Sequence, residues 1–111
     1  MSTEPAPCRE VTVEVLDGAL ESGATLVDVR EGAEYVAGHV PGARLIPMGQ
    51  LPGRVHELDR DKPVYLICSS GNRSAAMTDF LTYAGYEVYS VAGGTTAWQR
   101  AGHPLSTGSA A

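Results

Sequence analysis

Residues 63–68 read Pro-Val-Tyr-Leu-Ile-Cys, an almost wholly apolar run. A strand with one wet face alternates apolar and polar residues, because successive side chains point to opposite sides. This run does not alternate, so a strand buried on both faces is expected. Such strands belong to parallel sheets with helices packed on each side, and no other feature constrains the fold as strongly.

The rest of the chain agrees. Strand-like segments are expected at 10–13, 25–29, 44–46 and 87–91, and helix-like segments at 13–22, 31–37, 52–58, 74–84 and 95–101. In the helix 74–84, Met77, Phe80, Leu81 and Ala84 form the apolar stripe and Gly85 ends it. Leu51, Val55 and Leu58 share a face of the segment that Pro52 starts. Regular alternation of strand and helix implies crossover connections, hence an α/β domain with a mainly parallel sheet and helices on both faces. Ligands of such sheets bind beyond the carboxyl ends of the strands. Arg30, the segment after Cys68, and Gly93–Gly94 are therefore expected on one rim.

A length of 111 residues suits one domain. The expected organisation is a flexible leader at 1–9, one domain at 10–105 and a flexible tail at 106–111. The net charge of −5 argues against binding nucleic acid or an anionic membrane, so any anion site must be built locally. The amino-terminal sequence has no basic segment followed by an apolar one, and no run approaches the length of a membrane span. Two cysteines, Cys8 and Cys68, do not make a disulfide framework. A reducing cytoplasm is the expected compartment.

The chemistry points to Cys68. It ends the buried strand and is followed by Ser69, Ser70, Gly71, Asn72 and Arg73, then by the helix that Ser74 opens. Gly and Asn tolerate left-handed backbone, so this loop can curl with its N–H groups pointing inward. The helix start and Arg73 add positive potential. The same field favours a thiolate on Cys68. That thiolate would take the outer sulfur of an anionic donor such as thiosulfate and hand it to a second nucleophile, a covalent two-step scheme. A buried cysteine finishing a strand is often only a small hydrophobe; the loop, the arginine and the helix start set this one apart.

Three segments, LVDVREGAEYVAGHVPGA (26–43), CSSGNRS (68–74) and GGTTAW (93–98), resemble in order the motifs of the rhodanese-like sulfurtransferase family. The resemblance spans roughly Val11 to Pro104. It implies a five-stranded, mainly parallel α/β domain, a persulfide carried on Cys68, and a loop from Ser69 to Ser74 that cradles the donated sulfur. It also implies a small anionic donor, a thiol or cyanide acceptor, and a monomer that uses no cofactor and no metal. A sulfur-relay protein partner is a further expectation. An alternative is a sulfur-carrier or protein-interaction module with little small-molecule turnover.

A more distant alternative is a phosphatase of the same fold, whose loop has one residue more. Here four residues separate Cys68 from Arg73, and Ile67 rather than a histidine precedes the cysteine. Many members have arginine directly after the cysteine, whereas this chain has Ser69. A pocket less positive for that reason is expected to make thiosulfate a mediocre donor.

The remaining polar residues of the first motif admit two roles. Asp28 and Arg30 could touch substrate and His39 could be a general base, but these residues, with Glu34, read better as structural support. Asp28 would bond loop backbone, Arg30 would pair with Glu34 or another carboxylate, and His39 would hold its turn. Trp98 reads as core, His56 and His103 as loop or surface residues, and Gly93–Gly94 as a place of close backbone approach. Cys8 reads as an incidental thiol, with a resolving role for a persulfide as the alternative. The histidines and cysteines show no metal-ligand spacing.

Overall fold

A computed structural model describes residues 9–109. Cys8 lies outside the described residues. The elements in order are β1 (Glu10–Val11), α1 (Val13–Glu21), β2 (Thr25–Asp28), α2 (Gly32–Ala37), β3 (Arg44–Leu45) and α3 (Leu51–Arg54). A 3₁₀ turn (Val55–Glu57) continues α3, and β4 (Val64–Ile67), α4 (Asn72–Tyr83), β5 (Val88–Val91) and α5 (Gly94–Arg100) follow. The five strands form one sheet in the order β1-β5-β4-β2-β3. Every strand pair is parallel.

The apolar run at 63–68 becomes β4, the middle strand. Leu66 packs into one half of the core with Val27, Val29, Val88, Leu51 and Leu81. Its neighbour Ile67 packs into the other half with Leu26, Val91, Leu16, Tyr35 and Trp98. Adjacent residues of one strand thus serve opposite faces. Leu51 and Leu81 bring α3 and α4 to the first face, and Leu16, Tyr35 and Trp98 bring α1, α2 and α5 to the second.

Several boundaries differ from the sequence expectation. The first strand stops at Val11, because Thr12 serves as the amino-terminal cap of α1 and its hydroxyl accepts from Val15 N–H at 3.2 Å. The segment expected as a helix over 52–58 is one α turn followed by a 3₁₀ turn, with Gly53 in its middle. Its apolar face is as expected: Leu51 and Leu58 are buried and Val55 packs beside them. In α4 the stripe is shifted. Ser74, Thr78 and Leu81 are buried, Met77 and Ala84 pack alongside, and Phe80 is 40% exposed. The helix starts at Asn72 rather than Ser74, and the face it turns to the sheet carries the polar residues Ser74 and Thr78 near its start.

The tail expected from 106 onward is in part docked. His39 and Ser106 form an antiparallel bridge, with N–H···O distances of 2.9 and 2.8 Å, and Gly108 N–H donates to Val36 O at 2.9 Å. The backbone of this polar segment pairs with the loop after α2, which composition does not reveal. At the other end Ser90 N–H donates to Arg9 O at 2.7 Å.

Candidate active site

The loop after β4 closes around the Cys68 sulfur. Gly71 N–H donates to Sγ at 3.0 Å and Ser74 N–H at 3.4 Å, and Ser74 Oγ lies 3.6 Å away. Cys68 is 1% exposed. Gly71 takes φ +106° as the cap of α4, a left-handed conformation that lets the chain turn back over the sulfur. A side chain there would also press to 3.3 Å from Gly93 N.

The outside of the loop is fastened to the start of α5. Thr95 N–H donates to Cys68 O at 2.8 Å, Thr96 N–H to Ser69 O at 3.1 Å, and the Thr95 hydroxyl to Cys68 O at 3.2 Å. The peptide unit is planar and trans, so a carbonyl held outward turns the N–H of the next residue inward. The anchoring therefore aims the Ser69 and Ser70 N–H groups towards the ring interior. Gly94 makes the approach possible: a Cβ at this residue would lie 2.2 Å from Cys68 O and 2.7 Å from Ser69 O. This is the close backbone approach expected of the Gly93–Gly94 pair.

Opposing effects act on the thiol. Burial favours the neutral form, but the Ser74 hydroxyl, the N–H groups of Ser74, Gly71 and Ser70 favour the anion, and the balance lowers the Cys68 pKa below its ordinary value. Both the field and the geometry suit a bound sulfur anion.

Of the two partners expected for Arg30, Glu34 or another carboxylate, the structure gives the second. Glu34 pairs with Arg73, not with Arg30. Arg73 Nη1 and Nη2 each donate to a Glu34 oxygen at 2.8 Å, and the Ser69 hydroxyl joins them, donating to Glu34 at 3.2 Å. Arg30 closes instead on Asp28 at 2.8 Å and gives a further bond to Gly38 O at 2.7 Å. One residue, Val29, separates Arg30 from Asp28 at the buried end of β2, and Arg30 Nε and Nη2 close on the Asp28 carboxylate. Glu34 is turned towards the loop by its place in the capping box of α2, where its carboxylate also accepts from Glu31 N–H at 2.9 Å. The Arg73 and Glu31 bonds hold the Glu34 carboxyl down at about 2, while Glu34 pushes Arg73 further up. Arg73, expected as a source of positive potential, thus has its charge matched by a carboxylate.

Asp28 bonds the Arg30 N–H at 3.0 Å, the loop-backbone role expected of it. His39 is fully buried, stacks on Tyr35 with ring centroids 3.7 Å apart, and bonds Tyr35 O through Nδ1 at 2.8 Å. Its bonds go to α2 and Ser106 and none to the Cys68 loop. Trp98 is core and donates to Pro104 O at 2.8 Å. Ser70 and Asn72 stand on the exposed rim. A shallow groove beside Ser69 is lined by Glu34, Gly38, Thr95, Thr96 and Gln99. A larger cavity, between Ala19, Thr25 and Pro63, lies at the amino ends of the strands, away from Cys68. Among the described residues no cluster of His, Cys, Asp and Glu is arranged to hold a metal ion.

Sequence reading missed Ser90. This β5 residue is fully buried and its Oγ lies 2.7 Å from Ser74 Oγ. Its signal was available as a lone small polar residue inside the apolar strand VYSV.

A family model described as the Rhodanese-like domain matches residues 12–101. The chain belongs to this family. Among relatives of the rhodanese-like domain, a sulfurtransferase of Allochromatium vinosum is 40% identical over 81 residues, which are 72% of this chain and 76% of the relative. The uncharacterized protein YqhL of Bacillus subtilis is 45% identical over 76 residues, 68% of this chain. That matched region spans only 60% of YqhL. The crystal structure of a rhodanese-related protein from Thermoplasma volcanium superposes with a TM-score of 0.83 at 34% identity, covering 88% of this chain and 97% of the other. The rhodanese-like fold and membership of a sulfurtransferase family are thereby established. Among the described residues, no helix is long and apolar enough to cross a membrane.

Proposed function

We propose that this protein is a sulfurtransferase that carries sulfane sulfur as a persulfide on Cys68. The observation that carries the reading is the ring around the sulfur, with Gly71 and Ser74 N–H groups directed at it from 3.0 and 3.4 Å. The Cys68 thiolate attacks the outer sulfur of a donor. A Cys68–sulfur bond forms, the donor's S–S bond breaks, and its electron pair leaves with sulfite or a thiolate. The terminal sulfur now holds the negative charge that the ring accommodates. An acceptor thiolate or cyanide then attacks that outer sulfur, the Cys68–sulfur bond breaks, and the thiolate is regenerated. Nothing in this cycle calls for a general base, a metal or a cofactor. Ser69 to Ser74 form the cradle; Glu34 braces it through Ser69 and Arg73, and Asp28, Arg30 and His39 support the α2 segment that carries Glu34. We take the protein to act as a cytoplasmic monomer.

The Arg73–Glu34 pair favours a persulfide over thiosulfate as donor. A dianion approaching Ser69 meets a neutralised arginine and a carboxylate, whereas a persulfide delivered by a docked protein brings its own contacts. The carrier-module reading draws support from the same pair. Incubation with thiosulfate or a low-molecular-weight persulfide, followed by intact mass, tests both. The expected result is a one-sulfur adduct that cyanide removes as thiocyanate and that Cys68→Ser lacks. Failure to load from any sulfane donor overturns the proposal. Loading with very slow release to small acceptors favours the carrier.

A further inference from the structure

Ser90 has no part in the cycle above, yet its hydroxyl is buried against Ser74, whose side chain reaches the sulfur. In β5 it stands opposite Leu66 of β4, two residues before Cys68. Ser74 Oγ lies 2.7 Å from Ser90 Oγ, 3.2 Å from Gly71 O and 3.6 Å from Cys68 Sγ. Ser74 has a single hydroxyl proton for these three neighbours. While Cys68 is a thiol, its S–H can donate to Ser74, and the Ser74 proton is free to serve Gly71 O or Ser90. Once Cys68 has lost its proton to solvent, the Ser74 proton is needed at sulfur. Its oxygen can then accept, and Ser90 O–H is the buried donor within reach. A donated bond also strengthens the one that follows it in the chain.

We propose that Ser90 is a positioning residue that, by donating to Ser74 Oγ, aims the single Ser74 proton at the Cys68 sulfur and so sets how readily Cys68 ionises. The hydroxyl chain Ser90→Ser74→Cys68 reorients and transfers no proton of its own. The charged groups around it are Arg73 of α4 bound to Glu34 of α2, and the Asp28–Arg30 pair after β2. α5 presents Thr95 to the loop, and the charges of α3 and the 3₁₀ turn, Arg54 and Glu57, pair with each other, Glu57 also with Arg44 of β3. The role rests on Cys68 being the nucleophile of the proposed function, but its test does not require sulfur transfer.

The test measures the iodoacetamide alkylation rate of Cys68 against pH, with Cys8 replaced by serine in every variant. Ser90→Ala is expected to raise the midpoint and to slow alkylation near neutral pH by roughly three- to tenfold, a shift of about half a unit to one unit. The rate should recover at high pH. In a Ser74→Ala background the same change should have no further effect. Should Ser90→Ala not fold, Ser90→Thr and Ser90→Val, equal in shape, replace it: Thr keeps a lower midpoint than Val. An unchanged midpoint, equal midpoints for Thr and Val, or an undiminished effect without the Ser74 hydroxyl overturns the proposal. A shifted midpoint in a protein that never loads sulfur would retain the hydroxyl chain and discard the sulfurtransferase reading.

Discussion

At the scale of single residues the site is governed by which groups meet the sulfur and which meet each other. Because hydrogen bonds outweigh burial at Cys68, its alkylation midpoint should lie below that of the same cysteine in the unfolded chain, and Ser74→Ala should move that midpoint up. By linkage, the depressed pKa adds stability that is fully present above the unfolded thiol's pKa and fades as pH falls through the folded one. Glu34 behaves differently. With its carboxyl held at about 2, the Arg73 pair persists over any pH at which sulfur transfer would be measured. The acid limb of a pH–rate profile should therefore follow Cys68. Glu34→Gln leaves a carbonyl for Arg73 but removes the opposing charge. Thiosulfate kcat/KM should rise roughly threefold, the scale of a partly exposed ion pair. A fall in that ratio with loading intact would show that Glu34 serves Arg73 rather than limiting the donor.

At the scale of elements, β4 supplies the sulfur and α5 holds the loop that surrounds it. Gly94 carries φ +58° and admits no Cβ beside Cys68 O. Gly94→Ala should detach the Thr95 and Thr96 bonds from the loop, abolish sulfur loading and lower stability by about 2 kcal/mol or more. Thermal unfolding and intact mass read the two effects separately. Leu66→Ala tests the strand itself. It should cost about 2–5 kcal/mol, because neither covering layer can collapse into the space of a fully buried leucine. Element types were legible from periodicity and from glycine and proline punctuation. The α4 start was not: Asn72 and Arg73 read as loop because the residues carry no cap signature, and Gly71 in a left-handed conformation begins the helix without a capping side chain.

At the scale of the whole molecule, the chain returns on itself at both ends of the sheet. Truncation after Leu105 removes the His39–Ser106 bridge and the Gly108 bond. It should lower stability by about 1–3 kcal/mol, since each lost bond contributes about 1, and leave sulfur loading intact; denaturant unfolding checks the first and intact mass the second.

The parallel, doubly covered sheet was written in the sequence by one non-alternating strand and the helices around it, because burial pattern is a local property. So were Cys68, its spacing to Arg73 and the glycines that let α5 approach. Which carboxylate meets which arginine was not local. Asp28, Arg30, Glu34 and Arg73 offer several charge-balanced pairings, and only the crossing of α2 over the β4–α4 loop selects Glu34 with Arg73. Ser90 was undecided for the same reason. A lone serine within an apolar strand signals a buried hydroxyl, but its partner is fixed only when the sheet sets β5 beside β4 and lays that hydroxyl against Ser74. Sequence patterns report what each residue faces, apolar or polar; contacts between distant segments depend on register and crossing geometry, which only the folded chain supplies.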